Sequence, residues 1–133
     1  MSLSDEERRT IVQREMKKAY ETFEEIGILA AANRWSGAAS RLYYAVFHAV
    51  NALFINDGLQ AVRHNGSHTL FSLHYIKTGK LPTEYGRFYN QLQTLREKSE
   101  YNSFFDATQQ DVEEAQVPAR QLIDAIARIV AYE

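Results

Sequence analysis

The chain has 133 residues, 45% of them hydrophobic and 24% charged, with a formal net charge of −2, so it is long enough for one domain with a sizeable core over residues 1–133. That charge balance argues against a protein that binds nucleic acid by overall charge alone, and the absence of cysteine excludes disulfides and thiolate metal sites. The opening MSLSDEERRTIVQREMKK lacks the apolar core of a signal peptide, and Arg41, His48 and Asn51 interrupt the longest apolar stretches. No membrane span is therefore expected, and a reducing, cytoplasmic location fits.

Every segment reads as helix. In SLSDEER, Ser4 and Glu7 stand three apart as a capping box, each side chain satisfying a backbone group of the other residue. Val12, Met16, Ala19, Tyr20, Phe23, Ile26 and Ala30 then follow at the three-and-four spacing of an amphipathic helix. A second helix starts near Trp35 and ends at NDG, where Gly58 suits the left-handed position beyond a C-terminus. LQAVRHNGSH reads as a connector, and a short third helix over residues 67–78 stops at Gly79. Pro82 suits the first turn of a fourth helix, where its missing N–H costs nothing. Along that helix Tyr85, Phe88, Leu92, Leu95 and Ser99 recur at heptad-like spacing. Thr108 and Asp111 cap a fifth helix through Val112, Ala115, Ala119, Leu122, Ile126 and Ile129. Pro118 is expected to kink it, because proline cannot donate to the carbonyl of Glu114. Long helices with short joints imply antiparallel neighbours, hence an all-α, up-and-down bundle of four to five helices.

The second helix carries the first candidate site. In SRLYYAVFHAVNALF, Arg41, Tyr44, His48 and Asn51 are spaced three, four and three apart and so share one narrow face. The remaining circumference is apolar, as expected of a central helix with a single polar stripe. A second polar element, LREKSEYNSFF, ends the fourth helix with Arg96 and Glu100 on one face and Tyr101 beside them. If the two helices are neighbours, Arg41 is expected to meet Glu100, and Arg96 to face His48 or Tyr44. Two readings stand: a buried polar network that fixes helix register, or a cleft in which Arg96 holds a phosphate.

The histidines do not add up to a metal site. His64 and His68 are four apart across Gly66, His74 is six further on, and no carboxylate stands in register. Eight tyrosines and seven phenylalanines at helical spacing read mostly as core. HNGSH has too few glycines for a phosphate loop and follows no strand. No metal and no cofactor is expected.

Three stretches in order, SRLYYAVFHAVNALFINDGL, HNGSHTLFSLHYIKTGKLP and LREKSEYNSFF, together resemble the HEPN domain (higher eukaryote and prokaryote nucleotide-binding). The resemblance covers essentially the whole chain. It implies a four- or five-helix bundle that usually forms a homodimer, often paired with a minimal nucleotidyltransferase in a toxin–antitoxin setting. Active ribonucleases of that family resemble one another in an arginine and a histidine separated by four to six intervening residues, two such motifs meeting across a dimer. Here Arg96 matches the arginine, but Tyr101, Asn102 and Ser103 occupy the histidine positions. A phenol, which ordinarily ionises near pH 10, is a poor proton shuttle at neutral pH.

The resulting expectation is a non-catalytic module that binds a nucleotide or partner. Its polar network is Arg41, Tyr44, His48, Arg96, Glu100 and Tyr101, and it makes no use of a membrane. The alternatives are a metal-independent ribonuclease toxin using Arg96, Tyr101 and His48, and a purely structural homodimer. An RNA ligand is compatible with the first two.

Overall fold

A computed structural model describes residues 3–59 and 64–133. In chain order its elements are α1 (Asp5–Ala31), α2 (Trp35–Asn56), α3 (His64–Phe71) with a π-helical turn (Ser72–Ile76) appended, α4 (Thr83–Tyr101) and α5 (Gln109–Ile129). No strand occurs among the described residues. Of the expected connector LQAVRHNGSH, residues 60–63 lie outside them and residues 64–68 belong to α3.

Local chemistry accounts for the helix ends. The Ser4 hydroxyl accepts from the Glu7 N–H at 3.0 Å, and the Glu7 carboxylate accepts from the Ser4 N–H at 2.9 Å. Those two bonds hold the Glu7 carboxyl below its ordinary value. Thr108 and Asp111 repeat the arrangement at the start of α5. After α2, Gly58 takes φ 78° and lets the Leu59 N–H reach back to the Phe54 carbonyl at 2.8 Å. The same wrap closes α1 through Asn33 (φ 57°) and α5 through Ala131 (φ 53°). Neither is glycine, so sequence reading passes over both.

The third helix departs from the expected residues 67–78. It begins at His64, and its second half is the π turn, where the Lys77 N–H bonds the Ser72 carbonyl at 2.9 Å. One extra residue per turn breaks the α-helical phase on which the expectation rested. The turn carries the Tyr75 ring into the core, and its hydroxyl donates to the exposed Asp57 carboxylate at 2.6 Å. α4 crosses the turn at Gly86, where a Cβ would stand 2.9 Å from Ile76 Cγ1. α5 is one continuous helix across Pro118.

α2 is the centre of the bundle and packs against α1, α3, α4 and α5. Leu42, Tyr43, Ala45, Val46, Ala49, Val50, Leu53 and Phe54 are all fully buried on it. Each large apolar side chain among them contributes about 1.5–3 kcal/mol of burial. A hydroxyl relay ties three helices together: Tyr43 bonds Tyr89, and Tyr89 bonds the buried Ser67 at 2.7 Å. Burial raises the hydroxyls of Tyr43 and Tyr89 above the ordinary phenol range, so both stay neutral bond-makers. Among the described residues no helix is long and apolar enough to cross a membrane.

Candidate functional site

The polar groups converge where α2 and the C-terminal half of α4 meet. Arg96 reaches into this seam from α4 and is 4% exposed, an unusual place for a guanidinium. What makes it tolerable is a set of complementary partners. Its carbon Cζ lies 4.8 Å from the ring centre of Tyr43, 5.8 Å from that of Tyr44 and 5.7 Å from that of Tyr101. Nη1 donates to the Glu100 carboxylate at 3.1 Å and to the Tyr44 hydroxyl at 3.4 Å. Burial acts to lower its pKa, but hydrogen bonds with Tyr101 and Tyr44 and the Glu100 charge outweigh that and raise it. The cation is therefore permanent. Glu100 is fixed on its other side by the Ser40 hydroxyl, which donates at 3.0 Å.

This seam joins five of the six residues expected to share a network. Arg41 stacks on Tyr44 at 5.2 Å, Tyr44 contacts Arg96, and Arg96 holds Glu100 and Tyr101. His48 stands apart. Its Nδ1 is 2.8 Å from the Glu15 carboxylate of α1, in a half-buried pair beside Phe47. The expected pairing of Arg41 with Glu100 is also replaced. Arg41 pairs with Glu25 of α1 at 3.8 Å, while Glu100 goes to Arg96. The polar stripe of α2 is thus divided between two neighbours, because α1 and α4 flank it on opposite sides and each supplies its own carboxylates.

Sequence reading places Arg96 and Glu100 on one face of α4 but does not extend that face back to Tyr89 and Gln93. Tyr89, Gln93, Arg96 and Glu100 are spaced four, three and four, and that spacing was the available signal. Gln93 is buried and donates to Glu97 at 3.1 Å. Arg96 Nε, Gln93 Oε1 and Ser99 Oγ are shut off from solvent without a hydrogen-bond partner among the described residues. Tyr101 covers the cluster from the last turn of α4 and is itself 73% exposed. Beyond it Phe104 is fully exposed, on a loop anchored where the Ala107 N–H donates to Ser36. Of the histidines weighed as metal ligands, His68 lies on α3 and His74 in the π turn; the side chain of His64 lies outside the described residues.

Comparison with known proteins agrees with this architecture. A UPF0332 protein of Thermotoga maritima is 29% identical over 124 residues, covering 93% of this chain and 94% of the relative. A protein of Methanocaldococcus jannaschii named as a candidate toxin is 27% identical over 125 residues, covering 94% and 92%. A second candidate toxin of that organism is 26% identical over 106 residues, covering 76% and 71%. The family model for the HEPN domain matches residues 12–130, nearly the full length of the five-helix bundle, and the chain belongs to the HEPN family.

Proposed function

We propose that this HEPN protein is a non-catalytic module that binds a nucleotide or RNA phosphate at the Arg96 cluster. It works as a homodimer alongside a minimal nucleotidyltransferase, in a toxin–antitoxin setting. The observation that carries the reading is the state of Arg96: charged, buried and only partly satisfied, with an exposed tyrosine as its outer cover. A side-chain rotation of Tyr101 uncovers a guanidinium suited to bidentate contact with a phosphate. An imidazole is missing from the same place, and the Glu100 carboxylate there is committed to Arg96 and the Ser40 hydroxyl. Residues 101–103 contain no histidine, and His48 is engaged by Glu15 of α1. Binding without acid–base chemistry is what this set of groups supports.

The second reading is a metal-independent ribonuclease with an altered constellation. It is favoured by the two relatives named as candidate toxins. Labelled RNA incubated with the wild type, Arg96→Ala and Asn102→His separates the two. The expected result is RNA retention without cleavage by the wild type, weakened in Arg96→Ala. Metal-independent cleavage by the wild type that disappears in Arg96→Ala overturns the non-catalytic reading. Cleavage gained only in Asn102→His shows a competent site silenced by one missing histidine.

A further inference from the structure

The segment from His68 to Asn90 carries polar groups that the Arg96 cluster does not use. Between α3 with its π turn and the N-terminal half of α4 lies a depression of about 300 Å³. His68, Ser72 and Ile76 line one wall, each four residues from the next. Thr83, Arg87 and Asn90 line the other, spaced four and three along α4. The bare Cα of Gly86 is what lets the two walls come so close.

Two features set this depression apart from ordinary wet surface. Its polar groups are unspent. No hydrogen bond or ion pair joins the side chains of His68, Ser72, Thr83, Arg87 or Asn90 to one another or to any other described residue. His68 Nδ1 is moreover shut off from solvent without a partner, so the ring holds bonding capacity that bulk water does not meet. The second feature is the sign of the groups. Arg87 brings a permanent cation, the hydroxyls and the Asn90 amide bring donors, and no carboxylate lines the depression. Glu84 borders the neighbouring depression between α4 and α5, and Arg87, on the ridge between the two, forms no ion pair with it. Thr83 also opens α4, where the helix dipole is positive and Pro82 supplies no side-chain cap.

Donors grouped around a cation, with no acceptor-only group among them, are complementary to an oxyanion. They stand on two facing walls, which suits the tetrahedrally spread oxygens of a phosphoryl group better than the two coplanar oxygens of a carboxylate. A volume at the lower edge of small-molecule pockets, about 300–1,000 Å³, leaves room for that group on a small body. We infer that the cleft between the π turn and α4 binds a phosphoryl group, with Arg87 as its charged anchor and His68, Ser72 and Asn90 as hydrogen-bonding partners. This is a place distinct from the Arg96 cluster. Arg87 precedes Arg96 by nine residues, about 13 Å along α4 and half a turn round it, so the inference does not rest on the reading above.

Nuclear magnetic resonance of the full chain tests it, with inorganic phosphate, glycerol 3-phosphate, AMP and acetate titrated to about 20 mM at constant ionic strength. The ring signals of His68 and the backbone amides of residues 83–90 are expected to move saturably with phosphate, at a dissociation constant of about 1 mM or lower. His48, on the α1 side of α2, is expected to stay still. The amides of residues 99–101 report the Arg96 cluster separately, so success or failure at one place is distinguishable from the other. Arg87→Gln, an exposed substitution whose fold circular dichroism checks, is expected to weaken binding about tenfold or more, and Asn90→Ala about threefold. A monoester held more tightly than inorganic phosphate assigns the site to a phosphorylated small molecule; equal affinities assign it to the free ion. No movement of the His68 ring up to about 20 mM phosphate overturns the site. Unchanged affinity in Arg87→Gln overturns it equally, and acetate binding as tightly as phosphate overturns the phosphoryl assignment.

Discussion

Replacing Arg96 with alanine tests how the buried guanidinium is held. Its side chain is 5% exposed and its Cζ lies 4.8 Å from the Tyr43 ring centre, so the substitution removes a packed stem and a cation–ring contact, about 1 kcal/mol each. The ion pair adds less than a fully buried one. Breaking a buried pair costs about 3–5 kcal/mol and a surface pair about 0–1, and Glu100 sits between these limits with its side chain 27% exposed. Glu100 also keeps the hydrogen bond from Ser40, which makes about 1 kcal/mol the reasonable share. The expected total is about 3 kcal/mol, read by urea unfolding as a midpoint shift of about 1–2 M at unchanged slope. In a cycle with Glu100→Gln the coupling is expected near 1 kcal/mol. Arg96→Lys, which keeps the charge but lacks the planar guanidinium that meets Tyr43, is expected to lose about half as much as alanine. A loss below about 1 kcal/mol for Arg96→Ala refutes the contacts as the reason the arginine is tolerated. A gain in stability goes further and marks a residue retained at the expense of the fold.

Ala131 holds φ 53° at the end of α5, where the Arg9 guanidinium ties down its carbonyl together with that of Val130. The left-handed conformation costs alanine about 1–2 kcal/mol, and glycine returns about 0.4–1 of the gain through a looser unfolded chain. Ala131→Gly is therefore expected to stabilise by about 0.5–1 kcal/mol in thermal unfolding, and a loss of stability counts against the strained cap. Burial raises the hydroxyls of Tyr20, Tyr43, Tyr75 and Tyr89, Tyr20 to about 12 with help from Asp124. The unfolded chain ionises its tyrosines near pH 10 while the folded chain keeps these protons, so their contribution is complete below about pH 10 and is lost as pH rises toward 12. Phenolate absorbance should show these four of the eight tyrosines titrating only as the protein unfolds; uniform titration near pH 10 with the fold intact contradicts the burial argument.

Whatever depends on residues three or four apart was legible in the sequence. The capping boxes at Ser4–Glu7 and Thr108–Asp111, the left-handed Gly58, the stop at Gly79 and the buried circumference of α2 follow from contacts that a helix makes with itself. The six-residue wraps at Asn33 and Ala131 are equally local, yet their residue types carry weaker signals than glycine, and the tertiary bonds to Arg9 help fix the second. The π turn escaped because it changes the period on which the reading relies. Partner choice was beyond reach for a different reason. Arg41, Tyr44 and His48 were correctly read as one stripe, but a helix does not record which neighbour will flank each edge, or at what height. Packing α1 on one side delivered Glu15 to His48 and Glu25 to Arg41, and packing α4 on the other left Arg96 and Glu100 to each other among the tyrosines. The sequence by itself determined most of the helices, their polar stripes and the absence of histidine from residues 101–103; the relative register of α1, α2 and α4, set by long-range packing, decided which of those polar groups came together.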